Sequence, residues 1–216
     1  MTDQPRWYHL DFIRRMSTAE RLLAGAIAVV GVTGLMLIGD GLYMKAKAAL
    51  SQVLLQRSFA ERLAGDANSK PWPWADFVTE AEIRVPRLHR SAIVLKGASG
   101  QALAFGPAWL TTTPPPGENG TTVFAAHRDT HFRWLKDVRP GDIIEVTTAN
   151  GNVLRYRAGV GRIARWNDSG IDAAASGQHL ALTTCWPFDA VERGPLRYIL
   201  DAERMTEGTG NIVAAR

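Results

Sequence analysis

The sequence predicts a mostly β domain, a closed or nearly closed antiparallel barrel or sandwich, held behind a membrane-spanning helix. Three observations predict it. Residues 22–39, LLAGAIAVVGVTGLMLIG, carry no charge, and an uncharged run of about 18 residues just reaches the span of a hydrocarbon core at about 1.5 Å per residue. From Glu82 onward short β-branched runs follow one another, and no long helical pattern separates most of them. Between DIIEVTT and VLRYRAGV stand Asn150 and Gly151, the residue pair that best tolerates positive φ in a tight hairpin turn.

Composition supports a packed domain. Of 216 residues, 46% are hydrophobic and 21% charged, which excludes a disordered or fibrous chain. The formal charge is +4 and the isoelectric point about 9.5. No Lys or Arg run is interleaved with aromatic residues, so no nucleic-acid partner is expected; an anionic lipid or envelope surface suits the charge equally well.

Taken in order, residues 1–21 read as a cytoplasmic N-terminal segment. Arg14, Arg15 and Arg21 precede the apolar run while Lys45 and Lys47 follow it, a small excess that places the N-terminus inside. The alternative is a cleaved signal peptide, since Ala46, Lys47 and Ala48 have the small-residue look of a cleavage site. The apolar run is longer than the usual signal-peptide core of about 7–15 residues. Either reading exports the rest of the chain. Residues 40–81 read as a linker: Leu42, Ala46, Ala49, Leu50, Val53, Leu54 and Leu63 recur near helical spacing and predict an amphipathic helix. Gly65, Asp66 and Asn68 mark its end, and KPWPWADF, with two prolines, cannot continue it. The β domain spans 82–205, with IRVPRL, SAIVLKG and TTVFAA as strands, TTTPPPGENG as a loop, then the hairpin, HLALTT and LRYILDA. Residues 206–216 read as a flexible tail.

The single cysteine, Cys185, closes the apolar run LALTTC before Trp186, Pro187 and Phe188 break the strand pattern. One cysteine excludes an intramolecular disulfide, and no CxxC or HExxH spacing supplies a metal site. An exported domain that retains a lone thiol is a candidate for nucleophilic chemistry, although most free cysteines are small buried hydrophobes. A thiol nucleophile needs a base or a cation, because the thiolate is the attacking species. His9 precedes the membrane segment, His89 follows a strand-like run and His179 shares the run of Cys185. His127 comes directly after an apolar strand, as Cys185 does, and His131 is its rival in the same loop. A cation could steady the oxyanion of a carbonyl under attack. Arg197 in the following strand and Arg193 in the loop both qualify, and spacing does not choose between them.

The run LTTC, the preceding VFAAHRDTHF, the hairpin RPGDIIEV and NGNVLRYR, and an arginine in the next strand together resemble the sortases, cysteine transpeptidases of the bacterial envelope. The likeness covers about residues 82–203. PWPWADF, TTCWPFDA and GPLRYIL look most like the Gram-negative class GN sortases. The resemblance implies a closed eight-stranded β-barrel, preceded by the transmembrane helix and the linker helix. It implies Cys185 as nucleophile, His127 as general acid/base, Arg197 as substrate and oxyanion stabiliser, and Thr184 as a supporting residue that shapes the site. Two positions depart from the pattern: Ala181 replaces the first threonine of Thr-Leu-x-Thr-Cys, and Ala126 replaces the glycine before the histidine. Neither removes a reacting group.

The implied activity cleaves a sorting motif near the C-terminus of an exported protein through a thioacyl-enzyme and passes the acyl group to an amine acceptor of the cell envelope. No cofactor is expected. Some sortases bind calcium through acidic loops, but Asp168 and Asp172 are the only acids between Trp166 and Gln178, so no metal is expected. The implied location is the inner (cytoplasmic) membrane, crossed once by residues 22–39, with the catalytic domain on the periplasmic or extracytoplasmic side. The alternatives are a cysteine peptidase that uses water as acceptor and a non-catalytic, membrane-tethered binding module. A third envelope chemistry, L,D-transpeptidation, is disfavoured because its Ser-His-Gly-Cys pattern is missing. Trp186, Phe188, Trp72 and Trp74 are read as packing or membrane-interface residues and not as site residues.

Overall fold

A computed structural model describes residues 17–192 and 194–205. Helix α1 runs from Thr18 to Leu63. Its start is a capping box: the Glu20 amide donates to Ser17 Oγ (3.3 Å) and the Ser17 amide to Glu20 Oε2 (2.7 Å), which satisfies donors that a helix N-terminus leaves open. The amphipathic helix continues from the apolar segment, as expected, and the two form one element. The chain divides into two compact units within it, Met1–Ala49 and Leu50–Arg216. In the first, the apolar stretch is long and apolar enough to cross a membrane, and none of it is buried against protein.

The last turns of α1 belong to the second unit. Their buried face is Ser51, Leu55, Ser58 and Phe59, packed with Phe77, Ile93, Leu95 and Ala102. This corrects the expected stripe, since Leu50, Val53 and Leu63 are exposed. The two serines make that face inconspicuous in a hydrophobicity pattern, yet Ser58 Oγ donates to the Ser69 carbonyl (3.3 Å) and helps bind the helix to the segment that follows it. Trp72 sits edge-on to Phe77 and Phe105, with ring centroids 5.5 and 4.8 Å away, so the Pro- and Trp-rich segment is part of the packed domain.

Eight strands follow: β1 Thr79–Val85, β2 Arg90–Lys96, β3 Ala108–Trp109, β4 Gly120–Ala125, β5 Ile143–Thr148, β6 Val153–Arg165, β7 Gln178–Cys185 and β8 Leu196–Arg204. A short helix, α2, spans Gly100–Phe105. The strands close a barrel in the order β1-β2-β3-β4-β7-β8-β6-β5. The expected closure is present, but the barrel is mixed and not purely antiparallel: β2 pairs with β3, and β4 with β7, in parallel. Parallel neighbours need a crossover. The stretch containing α2 supplies one, and the β5–β6 hairpin lies between β4 and β7 in sequence. The hairpin turn also differs from expectation. Only Gly151 has positive φ (+86°), and the Gly151 amide donates to the Thr148 carbonyl (2.9 Å), so a three-residue connection with one left-handed glycine replaces the two-residue turn.

The barrel interior holds Phe124, Ile144, Val146, Leu154, Tyr156, Leu180, Leu182 and Leu200. At its rim, Arg87 grips Asp142 through two bonds of 2.5 and 2.6 Å and also donates to the Asp137 carbonyl (2.7 Å). That guanidinium pulls the Asp142 carboxyl below the usual carboxylate range.

Candidate active site

The ladder that places the thiol is the parallel pair β4–β7, with Ala125 opposite Thr183. It continues one step past β4, where the Ala126 amide donates to the Thr183 carbonyl (3.2 Å). Side chains on a strand alternate between faces, so His127 continues the parity of Val123 and Ala125, as Cys185 continues that of Ala181 and Thr183. Adjacent strands lie about 4.8 Å apart, and the two chain positions are therefore neighbours. On the other side Cys185 is the direct partner of Arg197 in the antiparallel β7–β8 pair. Directly opposed residues share a face.

All three line one cavity of about 520 Å³ on the outer face of the sheet, together with Leu103, Leu110, Trp166 and Ile171. Its lining includes no acidic residue. Cys185 is half-buried. Arg197 Nη1 donates to the carbonyls of Gly194 (3.0 Å) and Leu196 (2.9 Å). A guanidinium carries five N–H donors, so donors remain beyond those two bonds. Thr184 has the opposite parity and is 3% exposed; its hydroxyl donates to the Ala126 carbonyl (2.7 Å). Its contact is thus with the residue before His127.

The roof of the cavity is the connection between β6 and β7, and protein groups pin it down. Thr121 Oγ1 donates to the Asp172 carbonyl (2.7 Å) and the Thr121 amide to the Ala173 carbonyl (3.2 Å). Arg162 donates to the Ser169 carbonyl and, through Nε, to Asp201 (2.7 Å). Gly120 (φ +114°) lets this loop lie against β4, where a Cβ would collide with the Ala173 carbonyl oxygen.

The other histidines separate. His131 does not line the cavity; burial pulls it below the ordinary imidazole range, offset by its approach to the Ala104 carbonyl (3.5 Å) and reinforced by His127. His179 contacts the Ser176 carbonyl (2.8 Å) and borders a different cavity. His89 ends a short 3₁₀ turn at Pro86–Leu88. His9 and Arg193 lie outside the described residues. Among the described residues no three His, Cys, Asp or Glu side chains gather as a metal site.

Two residues near the site were not singled out in the sequence. Trp166, 64% exposed, stands at the cavity rim, and its position at a strand end is the only sequence signal it gives. Arg128, 7% exposed, gives none, because its burial depends on a contact 59 residues away. The aromatic residues after the cysteine behave as packing. Trp186, Phe188 and Tyr198 form a cluster with centroids 5.1–6.1 Å apart, and Phe188 and Tyr198 rest on the barrel core.

Fold and cleft together define a barrel domain that carries a half-buried thiol between a histidine and an arginine, behind a helix able to cross a membrane. Residues 83–205 match the sortase domain family, more than half of the chain, and the protein belongs to that family. Sortase D of Bacillus subtilis (strain 168) is 26% identical over 193 residues, covering 86% of this chain and 96% of that one. Among solved structures, the Clostridium perfringens sortase D5 transpeptidase shares the fold with a TM-score of 0.58 at 21% identity, covering 73% of this chain and 99% of that one. Corynebacterium diphtheriae sortase A gives 0.55 at 21%, covering 73% and 85%.

These relatives are Gram-positive sortases of the A and D types, and they overturn the expected kinship with the Gram-negative class GN. The short strings behind that expectation report local packing. PWPWADF contains the Trp72 and Phe77 that brace α2, and TTCWPFDA contains Trp186 and Phe188, two of the three rings of the cluster completed by Tyr198.

Proposed function

We propose that the protein is a membrane-anchored cysteine transpeptidase whose barrel faces the extracytoplasmic side. The observation that carries this reading is the arrangement of His127, Cys185 and Arg197 side by side across three strands in one cleft. Family membership supports the same chemistry. The Cys185 thiolate attacks a backbone carbonyl of a sorting motif in an exported protein, and Arg197 donates to the oxygen as it becomes negative. The carbon–nitrogen bond breaks as His127 gives a proton to the departing amine, leaving a thioester on Cys185. An envelope amine then loses a proton to His127 and attacks that thioester; the carbon–sulfur bond breaks, a new amide forms and the thiolate returns. No redox change occurs, and Cys185, His127 and Arg197 with the two substrates account for every bond and proton in these steps. A helix in the membrane brings enzyme and membrane-held substrates together in two dimensions, which raises their effective concentration.

The test uses the full chain in detergent micelles, a panel of peptides bearing Leu-Pro-x-Thr-like motifs, and hydroxylamine as acceptor. Peptide hydroxamates that form with the wild type and not with Cys185→Ala support the proposal. Cleavage with water as the sole acceptor, even at high amine concentration, identifies a peptidase instead. Turnover that survives Cys185→Ala overturns the assignment of the nucleophile.

A further inference from the structure

Among the described residues Arg128 is the only charged residue that is buried as a whole, at 7% exposure. Burying a guanidinium is costly unless its donors are met. Its Nε and Nη2 donate to the Asp129 carboxylate (2.8 and 3.2 Å) and its Nη1 to the Pro187 carbonyl (2.6 Å). Asp129 is 69% exposed and adjacent in sequence, so that pair alone gives no reason to bury the arginine. The bond that crosses the structure is the one to Pro187.

The two ends of that bond matter. Arg128 directly follows His127, and Pro187 is the second residue after Cys185. On the other side of the same two residues, Thr184 Oγ1 holds the Ala126 carbonyl. The chain segments carrying His127 and Cys185 are thus tied together twice, once just before both residues and once just after them. The first tie extends a regular β ladder. The second lies beyond the β4–β7 ladder: the cysteine segment is still paired to β8 at Trp186, whose amide donates to the Leu196 carbonyl (3.0 Å), and the bond from Arg128 to Pro187 is the one that ties it to the histidine segment. Arg128 does not line the cavity that holds Cys185, His127 and Arg197.

We propose that Arg128 is a positioning residue: its guanidinium clamps the loop after Cys185 to the loop after His127 and so fixes the relative placement of the two side chains. This rests on the transpeptidase reading for its kinetic consequence and on the structure alone for the clamp. The bond to Asp129 is the largest cause holding the guanidinium proton more tightly than usual, and burial opposes it. A lysine cannot replace the arrangement, because an ammonium does not present the planar fork that reaches a carboxylate and a carbonyl together.

The experiment compares the full chain in detergent micelles with Arg128→Gln, Arg128→Lys and Asp129→Asn. Amide hydrogen exchange reads the clamp without reference to activity. Faster exchange across Trp186–Ala190 in Arg128→Gln, with the roof segment Trp166–Gly177 unchanged, is the expected result; unchanged exchange at Trp186–Ala190 overturns the clamp. Steady-state kinetics with a reactive peptide reads the consequence. A fall in kcat of about tenfold or more with KM within about twofold is expected for Arg128→Gln, a partial recovery for Arg128→Lys, and a smaller loss for Asp129→Asn, which keeps the Pro187 bond. A KM effect without a kcat effect, or equal losses in all three variants, overturns the positioning role. If Arg128→Gln does not fold, the ranking of Arg128→Lys below wild type and the exchange of its cysteine loop decide the same question. A wild type that turns over no peptide counts against the transpeptidase reading, while the exchange result still decides the clamp.

Discussion

On the inner face of β4, β7 and β8, Phe124, Leu180, Leu182 and Leu200 are at most 1% exposed and pack into the barrel core. On the outer face of the same strands, Val123, Ala181 and Ile199 form a small apolar floor, and beyond it lie Thr183, Cys185 and Arg197 in the cleft. The two faces differ by a shift of one residue along each strand. The core therefore holds Thr183, Cys185 and Arg197 indirectly: the strands are fixed from inside, and whatever stands at the outward position of a strand end is presented with the rigidity of the barrel. Thr184 and Tyr198, inward partners at the cleft's end, mark where one face hands over to the other.

Changing one residue on each face separates the two faces by the largest expected effects. Cys185→Ala, outward, should lower transfer activity by at least about 10³-fold while leaving the thermal unfolding midpoint near wild type, as removal of a covalent nucleophile does. Leu182→Ala, inward on the same strand, should cost about 2–5 kcal/mol of unfolding free energy, read by denaturant titration of the full chain in micelles. A stability loss for Cys185→Ala as large as that for Leu182→Ala would remove the distinction. Thr184→Val sharpens it, because the residue faces inward yet serves the cleft. The lost bond to Ala126 should cost about 1 kcal/mol and also slow turnover several-fold. A variant with reduced stability and unchanged turnover would separate Thr184 from the site.

The smallest effect lies off both faces. Asp142, gripped by Arg87, has its carboxyl lowered by that bond. A depressed carboxylate contributes stability that is present above its unfolded value, about 3.9, and is lost as pH falls through the folded value. Asp142→Asn should therefore flatten the acid side of the stability profile below about pH 4 and leave the neutral region offset by a constant amount. An unchanged acid limb would show that the pair contributes nothing to that profile.

Much of this was legible from residues alone. Cys185 and His127 each follow an apolar strand directly, so their place at strand ends could be read, and strand ends present side chains at a rim. Spacing does not choose between Arg197 and Arg193; the β7–β8 register, which no spacing reports, makes Arg197 the partner of Cys185, while Arg193 lies outside the described residues. The parallel pairing of β4 with β7 was equally hidden: a period of two reports which residues share a face and not the direction of the neighbouring strand. Ala108–Trp109 and GQALAF are too short to carry a period, and they became visible only as the strand and helix that complete the crossover. The helix face that binds the domain was missed because two of its four buried residues are serines. That face has a practical consequence. Leu55 and Phe59 are part of the barrel unit, so a soluble version must retain the chain from about Leu50 onward.

In the proposed reaction the outward-facing thiol at the end of β7 is the atom that holds the acyl group. The most direct measurement incubates the full chain with a reactive motif peptide, quenches in acid without added amine, and maps the digested protein by mass spectrometry. The expected result is a mass increase equal to the N-terminal peptide fragment on the segment that contains Cys185, removed by hydroxylamine and absent from Cys185→Ala. Cleavage of the peptide with no adduct on that segment, or an adduct elsewhere that persists in Cys185→Ala, would contradict it.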